Sequence, residues 1–236
     1  MEENLKEQFA RMLALTSQRS QPDSATQRIP LKNDTIDPRT LRSFEDRVSA
    51  SKIDKALLNR NFDSFEVSPQ NEAIYRKMLE WSMSKNGICL GGEPGRGKTH
   101  LCLALAIRLM REMRDVYFTR PGIILTDLMA LKINNHVDNI NEYQQTLERL
   151  KSVEILFIDD LGTENLTEPK KEVIFEVMDE RVKRKDSLRT FITTNLSWDH
   201  LTEKYHSRFT SRIEEICSIE KVQGIDFRSL SRQRRK

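Results

Sequence analysis

The sequence of 236 residues lacks the patterns that direct a chain into or across a membrane. None of its apolar runs approaches the roughly 18 residues that a membrane-spanning helix needs. Its first residues, MEENLKEQ, are acidic and lack the basic and then apolar pattern of a signal peptide. We therefore expect a cytoplasmic protein with no membrane partner.

Cysteine is scarce, and its three positions, Cys89, Cys102 and Cys217, form no CxxC pair. An odd number of well-separated cysteines fits a reducing compartment. Free cysteine usually packs as a small apolar side chain. We therefore predict three buried thiols and no structural zinc.

Aromatic residues are also few, at 7% of the chain, and no segment is repeated or of low complexity. Apolar residues make up 37% and charged residues 32%, so the composition is that of neither a disordered nor a membrane protein. The length allows one domain of ordinary size and a smaller appendage.

The net charge is only +3, but positive charge collects near the C-terminus. Residues 221–236 contain six basic residues and one acidic residue. Such a segment is typical either of a contact with nucleic-acid phosphates or of a solvated chain end. Both interpretations stay open at this point.

Residues 1–60 are predicted to form a small helical arm. Apolar residues recur at helical spacing over residues 4–16, and residues 17–38 have the polar, Pro-containing composition of a linker. Asp37-Pro38 could begin a second helix, because Pro is favoured at the first helical position. The arm is too short and too polar to hold much of a core alone.

Residues 61–236 are predicted to form the main domain, because helix and strand patterns alternate along them. Strands are expected at 87–91, 116–119, 153–158, 188–194 and 218–223. Helices are expected at 68–85, 98–114, 122–134, 139–150, 167–185 and 199–213. This alternation predicts an α/β fold in which helices sandwich a parallel sheet.

The stretch GEPGRGKT matches the phosphate-binding pattern GxxxxGK[ST]. Its residues are Gly92, Glu93, Pro94, Gly95, Arg96, Gly97, Lys98 and Thr99, with His100 directly after them. The glycines let the backbone wrap around phosphates, and the following helix turns its positive N-terminus towards the same anion. We predict that these nine residues bind ATP, that Lys98 reaches the β- and γ-phosphates, and that Thr99 offers its hydroxyl to Mg²⁺.

Two carboxylates, Asp159 and Asp160, follow the apolar strand ILFI. The carboxyl ends of parallel strands are where such sheets bind ligands. Asp159 is predicted to hold Mg²⁺ through its water shell, and Asp160 to orient or deprotonate the attacking water. Asn195 ends the next predicted strand and is predicted to hold that water near the γ-phosphate. Because Asp160 is a methylene shorter than Glu, we expect hydrolysis to be slow or to need a partner.

Three arginines follow late in the chain. Arg208 and Arg212 lie four residues apart and so on one face of a predicted helix. Either they form surface ion pairs, or one of them reaches a neighbour's γ-phosphate and stabilises the charge that develops in transfer. Arg228, in GIDFR, is predicted to sense phosphate within its own chain.

The segments GEPGRGKTH, ILFIDDLG, FITTN, SRFTSRI and GIDFR occur in this order over about residues 61–230. Together they resemble the bacterial helicase-loader ATPases of the DnaC and DnaI type, with the transposition helper ATPase IstB as close kin. The resemblance implies an AAA+ module with ATP between head-to-tail subunits, Arg208 as the trans-acting arginine and Arg228 as the second sensor. It also implies that helices at 122–150 lie near single-stranded DNA and that residues 1–60 grip a hexameric replicative helicase.

The predicted function is therefore ATP-dependent loading of a replicative DNA helicase onto single-stranded DNA. Three alternatives stay open: an IstB-like helper that acts with a transposase, a P-loop kinase of a small metabolite, and a DNA-binding scaffold that binds ATP without hydrolysing it. The tandem acids and the late arginines count against the kinase, whereas Asp160 keeps the scaffold open.

Overall fold

Five parallel strands form one sheet in the described residues, which are 44–133, 136–224 and 226–227 of a computed structural model. The strands are β1 (Gly87–Gly91), β2 (Val116–Thr119), β3 (Ile155–Leu161), β4 (Arg189–Thr194) and β5 (Cys217–Lys221). Their order across the sheet is β2-β3-β4-β1-β5. Because β4 lies between β1 and β3, the segments that follow these three strands meet at one edge of the sheet.

Helices cover both faces of this sheet. In the described residues they are α1 (Phe44–Ser51), α2 (Glu72–Leu79), α3 (Lys98–Arg111), α4 (Pro121–Ile133), α5 (Val137–Ser152), α6 (Glu168–Lys183), α7 (Trp198–Tyr205) and α8 (Ser207–Ile216), with a 3₁₀ turn at Lys55–Leu57. Side chains of α1 to α3 pack on one face and those of α4 to α8 on the other. The predicted α/β sandwich with a parallel sheet is confirmed.

The sheet separates two clusters of buried apolar residues, because the side chains along a strand such as β3 alternate between its two faces. Ile155 and Phe157 point to one face, whereas Leu156 and Ile158 point to the other. Aromatic rings stack across neighbouring strands on the first face, with Phe157 centred 5.6 Å from Phe118 and 4.7 Å from Phe191. A strand with apolar residues on both faces reads as a continuous apolar run, which explains the pattern before Asp159.

Two differences from the predicted elements have physical causes. The predicted helix at 199–213 is broken into α7 and α8 at His206, whose φ of 77° is left-handed. Residues 44–60 were expected in the arm, but Val48 and Ile53 are buried in the same core cluster as α3. These residues therefore pack with the main domain, and every described residue belongs to one unit, Asn33–Lys236.

Several predicted features lie outside the described residues, namely the helix at 4–16, the linker at 17–38 and Arg228. The three cysteines are buried and unpaired, and burial raises the pKa of Cys89 to about 12. Over the described ranges, no helix is both long and apolar enough to span a bilayer.

Candidate active site

The phosphate-binding loop follows β1 and leads directly into α3. Gly92, Gly95 and Gly97 have φ values of 142°, 81° and 91°, which lie in the region that favours glycine. A Cβ at Gly92 would lie 2.5 Å from the Val222 carbonyl oxygen, and one at Gly97 would lie 2.7 Å from the Phe65 ring. Only glycine therefore fits this tight curve of backbone.

The loop offers donors that suit a polyphosphate. Gly97 is the N-cap of α3 and brings no side chain to the first N–H groups of that 14-residue helix. These N–H groups and the positive end of the helix dipole attract an anion. The donor set therefore fits the phosphates of ATP.

Lys98 lies at the centre of the site and is only 5% exposed. Its ammonium donates to the carbonyl oxygens of Gly92 (2.6 Å) and Glu93 (2.8 Å). It also donates to Oδ1 of Asn195 at 2.7 Å. The lysine therefore connects the loop after β1 with the end of β4.

Asp159 accepts three side-chain hydrogen bonds although it is only 1% exposed. The hydroxyls of Thr99 and Thr193 each donate to its Oδ1 at 2.8 Å. Arg120 donates from Nε to its Oδ2 at 3.2 Å. The paired oxygens of Thr99 and Asp159 are hard ligands of the kind that Mg²⁺ prefers, so these residues fit the predicted metal role.

Asp160 lies at an irregularity in the sheet. The pairing of β3 with β4 shifts register between Ile158 and Leu161, and Asp160 has a left-handed φ of 59°. Such a bulge re-aims a side chain. Here Oδ1 of Asp160 accepts a hydrogen bond from Nδ2 of Asn195 at 3.2 Å, so one amide bridges Lys98 and Asp160.

The remaining loop residues lie around this centre. Glu93 and Pro94 are exposed, and Arg96 forms an ion pair with Glu93 and donates to the carbonyl of Gly224. The segment after β5 also covers the loop, because the N–H of Phe227 donates to the Gly95 carbonyl at 3.1 Å.

His100 contacts the segment before α2. Its Nε2 lies 2.9 Å from the Asn61 carbonyl, and its ring packs edge-on against Phe65 at 5.2 Å. Burial lowers the pKa of His100, so the neutral ring predominates at pH 7. In this structure His100 therefore holds the segment before α2 against α3.

Arg208 is not brought to this centre within one chain. It lies on α8, its side chain is 64% exposed, and its Nη2 donates to Asp179 at 3.0 Å. Arg212 shares the same carboxylate, with Nε donating at 2.8 Å. The arginines thus form a surface ion-pair group with α6, and the exposure of Arg208 leaves it accessible to another subunit.

Two residues at the centre of the site, Arg120 and Thr193, are not among those predicted from the sequence. Arg120 directly follows β2, so the rule that places ligand chemistry at strand carboxyl ends could have found it. Thr193 lies within β4, in the segment FITTN, from which only Asn195 was predicted to have a role. Its hydroxyl donates to Oδ1 of Asp159 and accepts the backbone N–H of Asp160, both at 2.8 Å, which fixes the Asp159 carboxylate and the Asp160 backbone.

Replacing Thr193 by Val should weaken both the fold and hydrolysis. The side chain is 1% exposed, so the change leaves the Asp160 N–H buried without this acceptor. An unsatisfied buried group costs about 1–3 kcal/mol, and we expect that loss in the free energy of unfolding in urea. Thr126→Val, which removes an exposed hydroxyl, is the matched control. Equal stability of the Thr193 and Thr126 variants would contradict this role.

A family model described as IstB-like ATP binding protein matches residues 7–228. The ATP-binding protein attributed to insertion sequence IS232 of Bacillus thuringiensis subsp. berliner is 23% identical over 208 residues, 85% of this chain and 79% of that protein. The replicative helicase loader DnaC of Buchnera aphidicola subsp. Baizongia pistaciae is 24% identical over 153 residues, 63% of this chain and 60% of the loader. The DnaC of Escherichia coli K12 is 26% identical over 122 residues, so the chain spans 47% of its length.

Solved structures confirm the fold class. The crystal structure of the DnaC helicase loader superposes with a TM-score of 0.60 at 21% identity, covering 72% of this chain and all of that one. The crystal structure of DnaI gives a TM-score of 0.57 at 22% identity, covering 75% of this chain and 94% of that one. The predicted resemblance to DnaC, DnaI and IstB-like proteins is thereby confirmed.

Proposed function

The chain belongs to the family of IstB-like ATP binding proteins, and we propose that it hydrolyses ATP with Mg²⁺ to load a replicative DNA helicase onto single-stranded DNA. The observation that carries the hydrolytic part is the connection Lys98–Asn195–Asp160. Binding of phosphate alone needs Lys98, whereas the link to Asp160 couples the phosphate site to a carboxylate that can accept a proton. That coupling favours a protein that hydrolyses ATP over a scaffold that binds ATP without hydrolysing it.

Each residue of the site has a distinct role in this proposal. Lys98 and the N-terminus of α3 bind the β- and γ-phosphates. Thr99 and Asp159 hold Mg²⁺, which neutralises charge on the phosphate oxygens when bound. Asn195 orients Asp160, and Asp160 accepts the proton of the attacking water.

The proposed partners follow from the DnaC relatives, which are named as replicative helicase loaders. We place the contact with a hexameric helicase in the residues before the main domain. Single-stranded DNA is proposed to contact the basic C-terminal segment and the pair α4–α5. Residues 121–152 carry three basic and four acidic residues, so this pair adds little attraction for phosphates and DNA binding should be weak.

A transposition helper is the second candidate, and the extent of the alignments favours it. The insertion-sequence relative aligns over 85% of this chain and 79% of its own length. The Buchnera loader aligns over 63% and 60%. In this second candidate the ATPase chemistry is the same and the partner is a transposase.

The partner is tested by capture from cell extract with the full chain and with a variant that lacks residues 1–32. The deletion ends there because the unit that holds the ATP site begins at Asn33, and because Val48 and Ile53 belong to its core. We expect the full chain to recover a hexameric helicase and the deletion variant to lose it while still binding ATP. Recovery of a transposase would select the second candidate, and equal recovery by both chains would show that residues 1–32 are not the contact.

A further inference from the structure

Arg120 connects the metal-binding carboxylate to a helix pair on the sheet's second face. Its side chain donates to Oδ2 of Asp159 at 3.2 Å. Its backbone carbonyl accepts the N–H groups of Ile123 and Ile124, both at 3.0 Å. These two bonds form the first turn of α4, so one residue touches both Asp159 and the start of that helix.

The pair of Arg120 and Asp159 is unequal in burial. The carboxylate is 0% exposed, whereas the arginine side chain is 50% exposed. A buried carboxylate needs a positive partner, and an exposed arginine can leave at small energetic cost. Thr99 and Thr193 occupy Oδ1, so Arg120 is the cation that the structure places on Oδ2.

Mg²⁺ near Asp159 would be a second cation at this carboxylate, beside the Arg120 guanidinium. Like charges at such short distance repel, and the repulsion is strong where water is excluded. The guanidinium and the metal therefore compete for Asp159. Arg120 is half exposed and can turn into solvent, whereas Asp159 is buried.

We propose that Arg120 is a positioning residue that neutralises Asp159 without metal and yields this carboxylate to Mg²⁺, so that the first turn of α4 responds to the nucleotide state. This inference rests on the proposed ATPase function, in which Asp159 holds the metal. The response has a defined path, because α4 packs through the buried Leu125 and Leu128 in the same core cluster as Leu147 and Leu150 of α5. The pair α4–α5 would thus report whether metal and nucleotide are present.

The first test measures the affinity of a fluorescent ADP analogue in EDTA and in Mg²⁺, for wild type, Arg120→Gln and Arg120→Ala. The Mg²⁺ dependence is the dissociation constant in EDTA divided by the dissociation constant in Mg²⁺. Removing the competing cation should increase that ratio about 3- to 10-fold. Arg120→Lys keeps a positive charge and should stay near the wild-type ratio. Arg76→Gln, which removes an exposed arginine paired with Glu72 on α2, should not change it.

A ratio that stays constant or falls in both Arg120→Gln and Arg120→Ala would overturn the proposal, since Arg120 would then not oppose the metal. If the wild type itself bound no nucleotide, or bound it without Mg²⁺ dependence, the proposed function would fail instead. The two failures are therefore distinguishable.

The second test follows amide hydrogen exchange in the first turn of α4 on addition of Mg²⁺ and ADP. In the wild type we expect the exchange of the Ile123 and Ile124 amides to change, because their acceptor is the Arg120 carbonyl. In Arg120→Gln the change should largely disappear. An equal change in both proteins would show that the nucleotide reaches α4 without Arg120 and would overturn the coupling.

Discussion

Lys98→Ala is expected to lose ATP affinity by at least about 100-fold. A hydrogen bond to a charged group contributes about 1.5–3 kcal/mol, so two phosphate contacts give about 3 kcal/mol or more, and each 1.4 kcal/mol is tenfold in affinity. Lys98 is 5% exposed, and its ammonium donates to two carbonyls of the phosphate-binding loop.

The measurement is thermal unfolding with and without Mg²⁺ and ATP, together with steady-state ATPase activity with and without single-stranded DNA. A ligand at 100 times its dissociation constant stabilises the folded protein by about 2.7 kcal/mol. The wild type should show this gain and Lys98→Ala should not. Lys183→Ala, which removes a 69% exposed lysine on α6, is the matched control.

The ligand-free midpoint of Lys98→Ala must also be compared with that of Lys98→Met. Both variants remove the hydrogen bonds to the Gly92 and Glu93 carbonyls, but Met keeps most of the apolar stem. Loss of binding in both, with a native-like midpoint in at least one, would assign the effect to the ammonium. ATP affinity like that of the wild type in either variant would show that residues 92–99 are not the phosphate site.

The proximity of the segments around Lys98 could be predicted because their signals are local in the sequence. The loop from Gly92 to Thr99 is continuous, and Asp159 and Asp160 directly end an apolar run. The rule that ligands bind at the carboxyl ends of parallel strands then brings these segments and Asn195 together. The contacts of Lys98 with Asn195, and of Thr99 with Asp159, have the geometry that this rule predicts.

The strand-end rule marks Arg120 as a candidate, but the contacts of Arg120 and Thr193 with Asp159 could not be predicted, because they depend on which strands are neighbours. Threonine is ordinary in a strand, and alternation along the chain gives no order across the sheet. Only the order β2-β3-β4-β1-β5 places Arg120, after β2, and Thr193, in β4, on either side of Asp159. The break at His206 is equally hidden, since no Gly or Pro marks it. Histidine is among the residues enriched at positive φ.

The N-terminal boundary of the main domain could not be predicted, for a different reason. The sequence predicts a second helix after Asp37-Pro38, the region in which α1 lies, but it does not say what the apolar face of that helix contacts. In the structure Val48 is 3% exposed and Ile53 is 6% exposed, because both pack into the core cluster that contains α3. A periodic pattern gives the existence of a helix, whereas its packing partner depends on the tertiary fold.

Arg208→Ala should bind ATP almost normally and hydrolyse it poorly. In a head-to-tail assembly each subunit offers one face to the next, so Lys98 and Asp159 of one chain would meet Arg208 of its neighbour. Loss of a fully used arginine finger costs ~10³–10⁵ in rate, and we expect a smaller loss here because Asp160 already predicts a slow enzyme. The fold should survive, since Arg208 is 64% exposed and Asp179 keeps its bond from Arg212.

Arg212→Ala is the matched control, because it lies on the same helix and shares the same carboxylate. Its side chain also pairs with Glu215 and is 32% exposed, so it is held more firmly to its own chain. We expect Arg212→Ala to keep most of the ATPase activity. A larger loss in Arg212→Ala than in Arg208→Ala would assign the trans-acting role to Arg212 instead.

The decisive experiment mixes Arg208→Ala with Lys98→Ala. Arg208→Ala is expected to hydrolyse ATP poorly alone, and Lys98→Ala is expected to be inactive. The first variant keeps an intact phosphate site, and the second keeps an intact arginine. Random pairing in an equal mixture makes about one junction in four competent, so activity should partly return and should rise with protein concentration. If mixing restores nothing while sedimentation shows that both variants still assemble, Arg208 acts within its own chain or has no role in hydrolysis. Activity can return only if the residues that bind the phosphates and the arginine that completes the site come from different subunits.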